Sequence, residues 1–80
     1  MHYVYLLQSI DRPRQRYVGS TQNLRQRFKE HNEGKSIHTG RHRAWRLVTY
    51  IAFTDETKAR EFERYLKVGS GHAFARRHLW

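Results

Sequence analysis

"RQRYVGSTQNLRQRFKEHNEG", residues Arg14 to Gly34, changes its period partway along, and that change decides how the chain folds. "RYVGS" has the β-branched and aromatic character of a short strand. From "TQNLRQRFKEHNEG" onward Leu24 and Phe28 lie four apart, as on one helical face. Asn23 can cap that helix, Gln26 stands at the capping-box position and Gly34 is a natural stop. A tight turn at Gly19 is therefore expected to join a strand end directly to a helix start. Arg27 and His31, also four apart, share a face only modestly rotated from the apolar one, so they should border the core. An arginine and a histidine at this spacing on a basic helix equally describe a solvated surface.

Working outward, "HYVYLLQS" sets Tyr3, Tyr5 and Leu7 on one face and Val4, Leu6 and Gln8 on the other. Both faces are largely apolar, which predicts a central strand. "IDRPRQ" is a turn, with Pro13 unable to donate to a ladder, so the first two strands form a hairpin. Downstream, "KSIHTGRHRAW" reads as a basic loop or an irregular short helix. "WRLVTYIAF" is a third strand, with Trp45, Leu47, Ile51 and Phe53 on one face and Val48, Tyr50 and Ala52 on the other. Asp55 and Glu56 suit a helix N-terminus, and "TKAREFERYLKVG" then places Ala59, Phe62 and Leu66 on one face until Gly69. "SGHAFARRHLW" can form a short last helix whose Phe74 and Leu79 pack back on the sheet, with Trp45 in the core and Trp80 exposed. Strand, strand, helix, strand, helix, helix is an α+β layout.

Eighty residues predict a single domain spanning 1–80, with no repeat or Gly/Ser linker at which to divide it. The absence of cysteine removes disulfides and thiolate chemistry, and no apolar run approaches a membrane span. A cytoplasmic location is expected. Sixteen Lys and Arg against seven Asp and Glu give a net charge of +9, carried mostly by arginine. Such a surface attracts polyanions, and the planar arginine fork suits phosphate oxygens. The aromatic content speaks against a disordered basic tail.

Glu63 adds a second kind of chemistry. It lies four beyond Ala59 and three before Leu66, so its carboxylate should sit at the margin of the apolar stripe, whereas Glu61 faces away. A carboxylate in that position needs a partner, either a salt bridge to Lys67 or Arg60 or a hard cation such as Mg²⁺.

"YVY" at Tyr3 to Tyr5, "YVG" at Tyr17 to Gly19, Arg27 ten residues after Tyr17, then His31, and Glu63 ahead of "RYLK" together resemble the GIY-YIG nuclease family over nearly the whole chain. "HNEG", "RAWRLV" and "FERYLKVGSGHAFARRHL" are similar to its small stand-alone members. The resemblance implies a three-stranded antiparallel sheet flanked by helices and metal-dependent hydrolysis of DNA phosphodiesters. Because a body of eighty residues covers only a short length of nucleic acid, selection of nicked or branched DNA, in repair or processing, is expected ahead of a long specific sequence. Mg²⁺, with Mn²⁺ as an alternative, is the implied cofactor. Tyr5 and Tyr17 match the two motif tyrosines that assist the attacking water or orient the phosphate. Arg27 matches the arginine on the scissile phosphate, His31 a proton-transfer candidate, Glu63 the lone metal-binding carboxylate and Gly19 the glycine of the tight turn. Two departures stand out: Tyr3 and Val4 replace the glycine and isoleucine of the first motif, and the late polar residue has only Ser70 and His72 as candidates.

A tyrosine acting as a base near pH 7 needs its pKa lowered by about 3 units, roughly 4 kcal/mol, and nearby arginines with a divalent ion push in that direction. The alternative is that a metal-activated water attacks while a tyrosine or His31 relays a proton. Arg25, Lys29, Arg41, Arg43 and Arg46 are expected to contact the nucleic-acid backbone. His38 and His42, four apart, lack the further ligands of a zinc site, and "VGSGHAF" lacks the lysine of a phosphate-binding loop. A catalytically inactive nucleic-acid-binding module of the same fold is the competing reading. RNA remains open as a substrate, and a protein partner or a homodimer is expected to supplement so small a body.

Overall fold

The computed structural model describes residues 1–80. Strand β1 (His2–Ser9) lies between β2 (Arg16–Thr21) and β3 (Trp45–Phe53) in an antiparallel sheet of order β2-β1-β3. Its two apolar faces explain that central place. Val4, Leu6, Tyr5 and Leu7 are all buried, the first two toward one side and the last two toward the other. The hairpin closes where Ser9 N–H donates to Gln15 O (2.9 Å) and Ser9 Oγ accepts from Arg12 N–H (3.1 Å). Gln8 Nε2 donates to Pro13 O.

Helix α1 (Leu24–Asn32) covers one face of the sheet, where Leu24, Phe28 and Leu47 pack around Tyr5, Leu7 and Trp45. Helices α2 (Glu56–Leu66) and α3 (Gly69–His78) cover the other, where Ala59, Leu66 and Ala75 join Val4 and Leu6. Asn23 caps α1 by accepting from Gln26 N–H (3.1 Å), and Asp55 caps α2 by accepting from Thr57 N–H (2.8 Å). The expected capping box is only half formed. The Gln26 side chain turns to Glu30, and the Asn23 N–H is taken by Thr21 Oγ1. Gly34, at φ +76°, ends α1 as its left-handed residue.

Three expectations need correction. The face assignment of β3 fails because Leu6 pairs with Thr49 while Leu7 pairs with Leu47, which leaves Val48 as the extra residue of a bulge. Trp45 and Leu47 therefore face α1, while Val48 and Phe53 face α2 and α3. Phe74 packs on Phe62 and Tyr65 of α2 rather than on the sheet, although Leu79 does join the core. Trp80 is half-buried against that core, with the Arg16 guanidinium 4.9 Å over its ring.

Gly69 opens α3 and Gly71 lies within it, so the glycines punctuate helices as their sequence context suggests. A Cβ at Gly71 would collide with the Tyr65 carbonyl, so only glycine allows α3 to approach α2 this closely. Between α1 and β3 a single 3-10 turn (Gly40–His42) is tied down by Trp45, whose Nε1–H donates to Thr39 O (2.9 Å) and whose N–H donates to Asn32 Oδ1 (2.6 Å). No helix is long and apolar enough to cross a membrane.

Candidate active site

The α1 face that carries Arg27 and His31 turns toward β2, and the two residues meet different environments. Arg27 is about a third exposed and donates to Glu30 Oε1 at 3.0 Å. His31, expected at the border of the core, is fully buried. Its burial is tolerated because both ring nitrogens are satisfied: Nε2 is 2.8 Å from Tyr5 Oη and Nδ1 is 2.5 Å from Thr39 Oγ1. Tyr17 closes the group, its ring 5.0 Å from His31 and 6.2 Å from Tyr5.

Gly19 has a different role from the one expected. It does not turn the chain, because β2 runs on to Thr21 and pairs Gly19 directly opposite Tyr5. The Tyr5 ring lies across it. An added Cβ would stand 2.6 Å from Tyr5 Oη and 2.8 Å from Tyr17 Cε2, so the absent side chain is the space the two tyrosines occupy.

Electrostatics then separates the candidate bases. Burial pushes the Tyr5 phenol well above the ordinary tyrosine range; Tyr17 and the more distant Glu63 add to this, and the Arg27 guanidinium only partly offsets it. The expectation of a tyrosine drawn toward phenolate by arginine therefore fails at Tyr5, where desolvation wins. Burial, with Arg27 nearby, lowers His31 to about 4. At neutral pH this pair is a neutral phenol bonded to a neutral imidazole.

Glu63 stands on α2 with a side chain 22% exposed, at the stripe margin as expected. Ser20 Oγ–H donates to its Oε1 (2.7 Å) and Lys67 Nζ to its Oε2 (2.7 Å). Arg60 pairs with Glu56 instead (3.0 Å). Burial alone would raise the Glu63 pKa, but Lys67 and Ser20 outweigh it and hold the carboxyl ionised below the usual range. A hard-oxygen donor of this kind fits Mg²⁺ or Mn²⁺, which take one or two carboxylates and complete their shell with water and phosphate.

The two halves flank one edge. Alternation along β2 points Tyr17 and Gly19 toward α1, and Val18 and Ser20 toward α2. The outer edge of β2 is unpaired, with Arg27 on one side and Glu63 on the other, and Tyr5 is close enough to feel both charges.

Arg25, Lys29, Arg41, Arg43 and Arg46 are all exposed to solvent. Arg43 donates to Glu33 O (2.9 Å) and Arg46 to Gln8 Oε1 (2.7 Å), which places them along the α1–β3 side rather than at the β2 edge. His38 stacks on Tyr17 while His42 meets Trp45 edge-on, so the two histidines do not converge, and no three metal-ligating side chains cluster anywhere. Of the late polar candidates, His72 lines a groove of about 290 Å³ that Tyr17 also lines, and Ser70 does not.

Four residues that the sequence reading left without a site role prove to support the site: Ser20 holds Glu63, Glu30 holds Arg27, Thr39 holds His31, and His38 stacks on Tyr17. The i,i+3 spacing of Arg27 and Glu30 was the one local signal available. The other three contacts are long-range or lie in the loop.

The GIY-YIG catalytic domain model matches residues 1–73. The structure-specific endonuclease subunit SLX1 of Candida dubliniensis is 34% identical over 95% of this chain but only 28% of its own length. Its namesake from Talaromyces marneffei is 38% identical over 74% of this chain and 17% of its own. The chain thus spans less than a third of the length of these curated relatives. Among solved structures, the UPF0213 protein BH0048 from Bacillus halodurans superimposes with a TM-score of 0.55 at 33% identity, covering 94% of this chain and 79% of that one. With the two tyrosines packed about Gly19, the arginine and the carboxylate flanking the β2 edge, and the domain model matching residues 1–73, the chain belongs to the GIY-YIG family.

Proposed function

We propose that this protein is a divalent-metal-dependent endonuclease that hydrolyses DNA phosphodiesters at nicks or branches, in repair or processing. The observation that carries this reading is the open edge of β2, flanked by the Arg27 guanidinium and an ionised Glu63 in a chain of net charge +9. The relatives named as structure-specific endonuclease subunits support the reaction class and the choice of junctions, and the word "subunit" in their names supports a protein partner.

The Arg27 fork meets the non-bridging oxygens of the scissile phosphate, where it stabilises charge more in the transition state than before it. Glu63 would hold Mg²⁺ or Mn²⁺. When bound, the ion supplies Lewis-acid stabilisation of the charge building on oxygen. Tyr5 keeps its proton at neutral pH and His31 stays uncharged and out of reach of substrate, so this pair positions the site without titrating. Tyr17, half-buried beside them, orients the attacking water or the phosphate. Arg25, Lys29, Arg41, Arg43 and Arg46 hold the flanking backbone.

The test is incubation with nicked, branched and plain duplex DNA, with Mg²⁺ or with chelator, beside a Glu63→Ala variant. Cleavage of the nicked or branched forms that requires both the metal and Glu63 is expected. Binding without cleavage under all conditions would instead identify a binding module, and cleavage surviving in Glu63→Ala would overturn the site assignment.

A further inference from the structure

Lys67 occupies an unusual position beside the site. Two grooves meet near the outer edge of β2. One, of about 260 Å³, is lined only by Arg60, Glu63, Arg64 and Lys67. The other, of about 290 Å³, includes Arg16, Tyr17, Lys67, His72 and Trp80. Lys67 is the one residue common to both. Its ammonium sits 2.7 Å from Glu63 Oε2, where a cation would bind, and its side chain is 46% exposed, so a polyanion in solution can reach it.

The charge balance argues that this ion pair is a resting state. Glu63 faces Lys67, Arg60 and Arg64, and although Glu56 pairs with Arg60, three cations still stand against two carboxylates, so a divalent ion approaching the free protein meets net positive charge and a position already filled. The neighbouring groove is lined by the cations Arg16, which lies over the Trp80 indole, and Lys67, with His72 on the wall and no acidic side chain among its lining residues. A phosphate lying there would attract the Lys67 ammonium and at the same time neutralise the field that opposes the metal.

We infer that Lys67 is an exchangeable counterion: it holds the metal's place on Glu63 in the free protein and moves to a nucleic-acid phosphate in the Tyr17–Trp80 groove, so that metal and nucleic acid bind with positive linkage. This rests on the reading of Glu63 as the metal carboxylate. It makes Lys67 a positioning residue that delays metal loading until a polyanion is present. By reciprocity, the metal tightens nucleic-acid binding by the same factor.

Mn²⁺ binding followed by electron paramagnetic resonance tests this without any activity readout. Wild type, Lys67→Met and Lys67→Gln are titrated alone and with a short nicked duplex, with Glu63→Gln defining the site and a thermal melt confirming folding. Without DNA, both Lys67 variants should bind Mn²⁺ about tenfold or more tightly than wild type, because a competing charge at contact distance has gone. Adding the duplex should tighten Mn²⁺ binding markedly in wild type and little in the variants. Equal affinity in wild type and variants, or equal tightening by the duplex, overturns the exchange while leaving the metal site intact. Mn²⁺ binding indifferent to Glu63→Gln overturns the exchange and the metal-dependent reading together.

Discussion

Acidification should weaken this fold through His31 in a way that can be isolated. In the unfolded chain a histidine titrates near 6.5, whereas burial beside Arg27 holds His31 at about 4 in the native state. The unfolded state therefore binds the proton first. The stability contributed by the neutral imidazole is complete above pH 6.5 and is lost as the pH falls toward 4. For that shift the unscreened loss between pH 7.5 and 4.5 is about 2.5 kcal/mol, and because Arg27 is partly exposed, screening brings the expected value to about 1–2 kcal/mol. Urea denaturation of wild type and His31→Gln, followed across that pH range, reads the quantity directly, since the other histidines and the carboxylates are common to both. A glutamine in this position cannot titrate. The variant should be less stable at pH 7.5 and should lose less on acidification, so that the two curves converge. Parallel curves, separated by a constant offset, would refute both the buried neutral state and the physical cause assigned to it.

Other perturbations probe the site from different directions. Gly19→Ala forces a Cβ against Tyr5 and Tyr17; the strain should cost about 1–3 kcal/mol, visible as a lowered melting temperature, and an unchanged melt would show that the rings move aside freely. Ser20→Ala removes the donor on Glu63 Oε1, so the Glu63 carboxyl should titrate at higher pH and the acid limb of cleavage should move upward; an unmoved limb would place the titrating group elsewhere. Arg27→Ala should lower kcat far more than affinity. Removing Arg25, Arg41 or Arg46 should instead weaken binding and flatten its dependence on log salt by about 0.9 for each phosphate no longer neutralised, and equal affinity losses from both groups would contradict the division of labour.

Much of this architecture was legible because local and global preferences agree. β1 is apolar on both faces and lies in the middle of the sheet, and Asn23, Asp55, Gly34 and Gly69 mark helix boundaries by their own backbone and capping chemistry. The Glu63–Lys67 pair was visible as an i,i+4 spacing. The bulge at Val48 was not, because a strand apolar on both faces gives no sign of a one-residue slip. Nor was the depth of His31: the hydroxyl that satisfies its second nitrogen belongs to Thr39, in a loop without periodicity. Gly19 was correctly singled out but for the wrong reason, since a close side-chain approach across strands leaves the same mark in sequence as a turn.

The bulge at Val48 also reaches the opposite edge of the sheet. It turns Trp45 toward α1, so that the indole N–H holds the Thr39 carbonyl, the Thr39 hydroxyl meets His31, and His31 meets Tyr5 on the α1 side of the sheet. Deleting one residue of β3, on the far side of the sheet from the β2 edge, would face Trp45 away and leave a buried imidazole without its anchor. The alignment of the site is thus set by a counting offset in the strand farthest from it, and chain length in β3 tolerates less change there than residue identity does.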